Sequence, residues 1–244
     1  QENTESVSVG TAEMTSTDPG FIGGDVPNFA PMSMPYMFDD WDHVARVADG
    51  AVGERLNQVL IDSQGLRILG WFFVGFRDMI TISPPIRSLQ DFEGVKFRSP
   101  GIPVYVQMFK ALNATPTPIP WPDVYTALQN NVVDGAETTP EGMVNSRFYE
   151  PCNYMTRTGH INSQSMIVIN EEFYQSLPTD IQELMNEVMA EVIDYERQAI
   201  REANEEAYGI LESNGVEIIE IDKAPLRQAV EPVWNELAGS PEAE

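Results

Sequence analysis

An α/β chain built as two lobes is what the sequence predicts, and three observations predict it. Short runs of Val, Ile, Leu and Phe recur between helix-period segments along the whole chain, the alternation expected of α/β architecture. One late helical pattern continues from Ile181 to Leu211; at 1.5 Å per residue it would reach about 50 Å. That exceeds one small lobe, so the helix either bridges two lobes or bends near its middle. The 244 residues contain no internal repeat, a length that suits one large domain or two smaller lobes.

Composition narrows the function classes. A hydrophobic fraction of 42% with 11 Phe is ample for a core. Against 38 acidic residues stand 14 basic ones, a formal net charge of −24. Such a field repels nucleic acid and anionic lipid, and neither is expected as a partner. The acids are spread rather than blocked, which suits a solvated surface facing salt water or an extracytoplasmic space. A lone Cys152 excludes an internal disulfide and a thiolate cluster, and only His43 and His160 are available as imidazole ligands. No metal and no cofactor are expected. No apolar run approaches the roughly 18–20 residues of a membrane span.

The elements follow in order. Residues 1–10 are polar and without a period. Residues 10–18 form a weak strand ending in the turn Asp18-Pro19-Gly20. Val26 to Phe38, rich in proline, reads as extended. Asp39 to Asp42 cap a helix reaching about Ser63, with Val44, Val47, Val52, Leu56, Val59 and Leu60 inward. Gly65 ends it. Leu66 to Val74 is an apolar strand of the buried parallel type, broken at Gly75 to Asp78 and resumed over Met79 to Ile82.

Ser88 to Asp91 make one helical turn leading to Gly94-Val95-Lys96-Phe97-Arg98-Ser99-Pro100. Its period-2 alternation marks a strand with Arg98 at its carboxyl end, pointing away from the core. A helix over 102–112, the extended run 116–120, Trp121 at a turn and a helix from Pro122 come next. A brief strand spans 132–136, with Glu137, Thr138 and Thr139 at its carboxyl end. Met166 to Ile169 form an apolar strand. A capping box from Thr179 to Gln182 opens the long helix, Asn214-Gly215 closes it, and a strand over 216–221 and a helix over 224–238 finish the chain.

Enzyme motifs are missing: no nucleophile elbow, phosphate-binding loop, dinucleotide fingerprint or zinc-protease helix. Cys152 and His160 lack an orienting acid on their segment. Asp134 and Glu137 suit a turn and an acid holding an arginine better than a catalytic pair. What remains suits binding. Arg77 and Arg98 are cations, Trp121 is either a flat apolar wall or plain core, and Asp18, Thr138 and Thr139 form hydrogen bonds.

The linked motifs resemble one family. Ser88-Leu89-x-Asp91-Phe92-x-Gly94-x-Lys96-x-Arg98, Asn113 through Pro120, Asp123 through Gln129 and Val132 through Glu137 occur in the order and spacing of the DctP-type solute-binding proteins of TRAP transporters. Phe148-Tyr149-Glu150, His160, Leu177-Pro178 and Gln182 fit the same pattern. The likeness runs from about Gly10 to about Val233.

The resemblance implies a two-lobed, type II-like periplasmic binding protein with a long helix spanning both lobes. Residues 1–74 with 164–203 would form lobe I, and 75–163 with 204–244 lobe II. Such a protein closes on a small organic acid in the interlobe cleft and hands it to TRAP membrane permease subunits. It is expected to be periplasmic, a monomer and not an enzyme. Carried over by position, Arg98 matches the arginine that pairs with the ligand carboxylate, Arg77 a supporting arginine, and Trp121 an aromatic against the ligand. Thr138 stands where many members have Asn, Asp18 where some place an acid, and Glu137 completes the ligand-binding set. Family members begin with a strand, a helix and a strand before the segment matching Gly10, so the chain is expected to lack the start of lobe I. Two other readings compete: a carboxylate-processing hydrolase or isomerase with Glu137 or Asp18 as base, and an orphan or ABC-type binding protein.

Overall fold

The structure, a computed structural model, describes residues 2–238. In chain order it holds α1 (Glu2–Ser8), β1 (Met14–Thr17), α2 (Pro19–Ile22), a 3-10 segment (Pro27–Ser33), α3 (Trp41–Ala48), α4 (Ala51–Gln64) and β2 (Leu66–Thr81). Then come a 3-10 turn (Leu89–Phe92), β3 (Lys96–Ser99), α5 (Pro103–Ala111), β4 (Thr115–Pro118), a second 3-10 turn (Trp121–Asp123), α6 (Val124–Gln129) and β5 (Gly135–Thr138). Last are α7 (Pro140–Asn145), β6 (Tyr154–Asn170), α8 (Glu171–Ser176), α9 (Thr179–Ser213), β7 (Glu217–Glu220) and α10 (Lys223–Ala238). The class is mixed α/β, as the alternation of apolar patterns predicts.

The chain divides into two compact units. One takes Gln1–Ser33, Met37–Val74 and Ser163–Ile200, and the other Met34–Tyr36, Gly75–Asn162 and Arg201–Glu244. Residues 239–244, assigned from sequence to lobe II, lie outside the described residues. Along the chain, β2, β6 and α9 each begin in one unit and end in the other.

In the first unit β1 runs antiparallel to the end of β6, with Met14 opposite Ile169 and Thr17 opposite Met166. The Asp40 carboxylate caps α3 by accepting from the His43 backbone N–H at 2.7 Å. A single helix was the expectation here; two form, parted at Asp49-Gly50. Gly53 shows why: a Cβ there would sit 1.8 Å from the Ala48 carbonyl oxygen, so the two helices meet at backbone contact. Val44, Leu56 and Leu60 are buried as their spacing predicts, whereas Val52 is exposed. The N-terminal residues, read as patternless, form α1, tied down by fully buried Val7 and by Asn170 Nδ2 donating to the Val7 carbonyl at 2.9 Å. The supposedly extended run after Val26 is largely 3-10 helix, since the fixed φ of Pro27 and Pro31 suits that geometry.

In the second unit the latter part of β2 runs antiparallel to β5, with Asp78 opposite Thr138 and Thr81 opposite Gly135. β3 lies parallel to both β5 and β4, and β7 parallel to β6. Two expectations are corrected. β2 does not break at Gly75: that glycine takes φ 130° and the strand continues through it, its latter part antiparallel to β5. β5 covers 135–138 rather than 132–136, which places Glu137 and Thr138 inside a strand. Ile80, Val124, Leu128, Met143, Phe148 and Met155 share one apolar cluster here.

The long helix is observed as one element of 35 residues. It opens without the expected box, because Thr179 is already helical and Gln182 Nε2 donates to the Leu177 carbonyl at 3.0 Å. Only Asn204, Ala207 and Leu211 along it are buried; Ile181, Leu184, Val188 and Val192, which carry the apolar period, are exposed.

Candidate functional site

The site residues of the second unit are set by β2, β3 and β5. Ser88 and Asp91 form a reciprocal capping box at the 3-10 turn before β3, and Gly94 at φ 75° turns the chain into the strand. The register sets Phe97 beside Gly135, so Arg98 and Thr138 lie on one face of the sheet and Glu137 on the other.

Arg98 is 4% exposed. Its Nε donates to the Ile119 carbonyl at 2.9 Å, and its guanidinium carbon sits 5.4 Å from the Trp121 ring centroid. Among the described residues no carboxylate lies within ion-pair distance of it. Burial pulls its pKa down to about 10; Glu137 opposes that pull and Arg77 adds to it. At neutral pH it remains a cation, desolvated and without a contacting counter-charge. Trp121 leans on Phe148, centroids 5.5 Å apart, and is 42% exposed, so it is a wall rather than core.

Arg77 is the opposite case. Its Nε and Nη2 grip the two carboxylate oxygens of Glu137, the latter at 2.8 Å, and Nη2 also reaches the Glu137 carbonyl at 3.0 Å. The Tyr105 ring covers its guanidinium at 5.4 Å. Glu137 is completely buried. Burial by itself would raise its pKa, but the Arg77 charge and hydrogen bonds, with His160 alongside, hold it at about 2. His160 Nδ1 lies 2.8 Å from the Thr158 hydroxyl, and its Nε2 lies 3.4 Å from Glu137 Oε2 without a directed hydrogen bond.

Arg77 and Glu137 therefore form one closed pair, and Arg98 and Trp121 one open one. Thr138 is buried at the end of β5, with Oγ1 close to Gly142 of α7. Thr139 caps that helix, its Oγ1 accepting from the Gly142 N–H at 3.2 Å. Asp18 belongs to the first unit, where its carboxylate caps α2 by accepting from the Gly20 N–H at 2.7 Å. Tyr105 and Asn162 were not singled out from sequence. A tyrosine in a helix and an asparagine in a strand carry no local signal; only contacts across the fold reveal them.

The catalytic readings gain nothing from this geometry. A carboxylate held at about 2 and bound on both oxygens is a weak base. Cys152 sits in the apolar cluster with its thiol pushed up to about 12 by burial, unlike an activated nucleophile. Among the described residues no three His, Cys, Asp or Glu side chains come together as a metal site. No described helix is long and apolar enough to cross a membrane.

Comparison with known proteins places the arrangement. The family described as DctP, bacterial extracellular solute-binding protein family 7, matches residues 1–240. A solute-binding protein of Roseobacter denitrificans is 34% identical over 91% of this chain and 67% of its own length. A sialic acid-binding periplasmic protein of Vibrio cholerae is 27% identical over 96% of this chain and 72% of its own. A TRAP periplasmic solute-binding protein from Xanthobacter autotrophicus, solved with bound β-D-galacturonate, superposes with a TM-score of 0.93 at 27% identity, covering 99% of this chain and 80% of that one.

Proposed function

The chain belongs to the DctP family of bacterial extracellular solute-binding proteins, and on that premise we propose that it binds a small organic acid through its carboxylate and delivers it to a TRAP-type membrane permease. The observation that carries this reading is Arg98: a buried guanidinium whose fork meets no carboxylate of the described chain. A ligand carboxylate supplies the missing charge in bidentate form, and Trp121 flanks it. Arg77 does a different job. Its charge is spent on Glu137, so the pair stiffens the sheet beside Arg98 and donates to the ligand only through what that grip leaves over. Thr138 shares the Arg98 face and offers a hydroxyl.

The relatives' ligands, sialic acid and β-D-galacturonate, are both acids. In this reading the protein works outside the cytoplasmic membrane as a monomer, without metal, cofactor or catalytic step. A thermal-shift screen of organic acids tests it. A ligand at about 100 times its Kd stabilises by about 2.7 kcal/mol, and Arg98→Ala removes that shift. Equal stabilisation of parent and variant by carboxylates would sink the reading.

A further inference from the structure

The half of α9 that lies in the first unit, residues 179–200, has one side packed and one side open. Met189 and Ile193 close the packed side against β2, where a Cβ on Gly70 would meet Ile193 Cδ1 at 2.3 Å. On the same side Glu196 accepts from the Phe73 N–H at 3.2 Å, and Arg197 donates to the Trp71 carbonyl at 3.0 Å. Beside them Ile181, Leu184, Val188, Val192 and Tyr195 are between 39% and 77% exposed. At 3.6 residues per turn these five fall within roughly 80° of the helix circumference, a continuous stripe about 21 Å long. Scattered apolar side chains on a surface are ordinary, but five in line over four turns mark an interaction surface.

The far flank of the stripe is as regular. Asp180, Glu183, Glu187, Glu191 and Asp194 are all exposed and occupy the next sector of roughly 80°. Among the described residues no ion pair engages any of them, and no Lys or Arg occurs between Thr179 and Glu196. An apolar row bordered by an unpaired acid row is half of the pattern by which amphipathic helices pair. The other half is an apolar row bordered by Lys and Arg.

We propose that residues 181–195 of α9 form a docking site for a basic amphipathic helix of a partner protein. The partner lays apolar side chains, spaced three and four residues apart, along the stripe and aims a flanking row of Lys or Arg at the acid row. Charge selects this occupant over the others. A second copy of the chain offers no basic row, only the same acids and another net charge of −24. An anionic lipid surface is repelled by the same row. The contact uses neither Arg98 nor Trp121, so it stands independently of the acid-binding reading.

The test uses two synthetic helices about 18 residues long, with Leu at the same spacing and either Lys or Glu along one flank. They are titrated by fluorescence anisotropy against the 244-residue chain in about 0.1 M NaCl. The Lys peptide is expected to bind at least about tenfold tighter than the Glu peptide. Leu184→Gln with Val188→Gln, which leaves every charge in place, is expected to weaken the Lys peptide by about tenfold or more. Changing Glu183, Glu187 and Glu191 together to Lys is expected to erase the preference for the Lys peptide. The same change at Glu205, Glu206 and Glu212, exposed acids farther along α9, is expected to leave it intact. If the two charge reversals act alike, the peptide reads net charge alone and the site is overturned. A Lys peptide that does not bind, or that ignores the paired Gln substitutions, overturns it equally.

The chain without peptide supplies a second readout. Polar substitution on an uncovered face leaves the fold intact, so the Leu184→Gln, Val188→Gln variant is expected to melt within about 2 °C of the parent. A larger fall shows that the chain itself covers the stripe. A dimer in sedimentation velocity that the paired Gln substitutions dissolve shows that a second copy covers it. Either result overturns the assignment.

Discussion

Arg98 and Arg77 have the same side chain and opposite energetics. Arg98 is a buried cation with no contacting carboxylate, and burial depresses its pKa to about 10, so its charge weighs against the ligand-free fold. Arg98→Met should therefore leave the ligand-free Tm unchanged or higher while abolishing the acid-induced shift. Arg77→Met should do the reverse. It strands the buried Glu137 carboxylate, a loss of roughly 3–5 kcal/mol read by urea denaturation. Glu137 also sets a pH signature. Its folded pKa, about 2, lies below the ordinary value of 4.5, so its contribution is complete above 4.5 and is lost as pH falls from 4.5 toward 2. Acid titration of stability in Glu137→Gln should be flatter through that window than in the parent.

Elements reveal where sequence was legible and where contacts decided. The long helix was readable because its apolar period persists without Gly or Pro until Gly209. The period says which face is apolar and nothing about what covers it: Ile181, Leu184, Val188 and Val192 keep the period and are exposed. Glycines misled in both directions. Gly75 looked like a strand break, yet φ 130° carries β2 straight through beside Asn204. Gly50 and Gly53 fall inside the span expected as one helix, yet they let α3 and α4 meet at backbone distance. Gly53→Ala should accordingly destabilise far more than helix propensity allows. The substitution ordinarily gains up to about 1 kcal/mol, so a higher Tm would disprove the contact. The candidate site divides in the same way. Residue chemistry suggested Arg98, Trp121 and an acid holding an arginine; the partner of each lies 23 or 60 positions away, a pairing that only the sheet register supplies.

At the scale of the whole molecule the net charge of −24 dominates. Self-repulsion opposes compaction and repels anionic ligands, and both effects are screened over about 10 Å at 0.1 M salt. Raising NaCl from about 0.01 to 0.3 M should increase both the Tm and the association rate of an organic acid. A flat response in stopped-flow and thermal scans would mean that the charge is already compensated locally. Three of the chain's passages between the two units run inside β2, β6 and α9, so those connections carry regular secondary structure. One consequence belongs to spectroscopy. Of the four tryptophans Trp71 is buried, Trp41 and Trp234 are half-buried, and Trp121 alone is exposed while touching the cation proposed to bind the acid. Its indole emission should sit at the red edge of the spectrum and be quenched first by acrylamide. An acid seated on Arg98 should shield it, so the chain carries a native fluorophore that reports occupancy without a label, and Trp121→Phe should silence it.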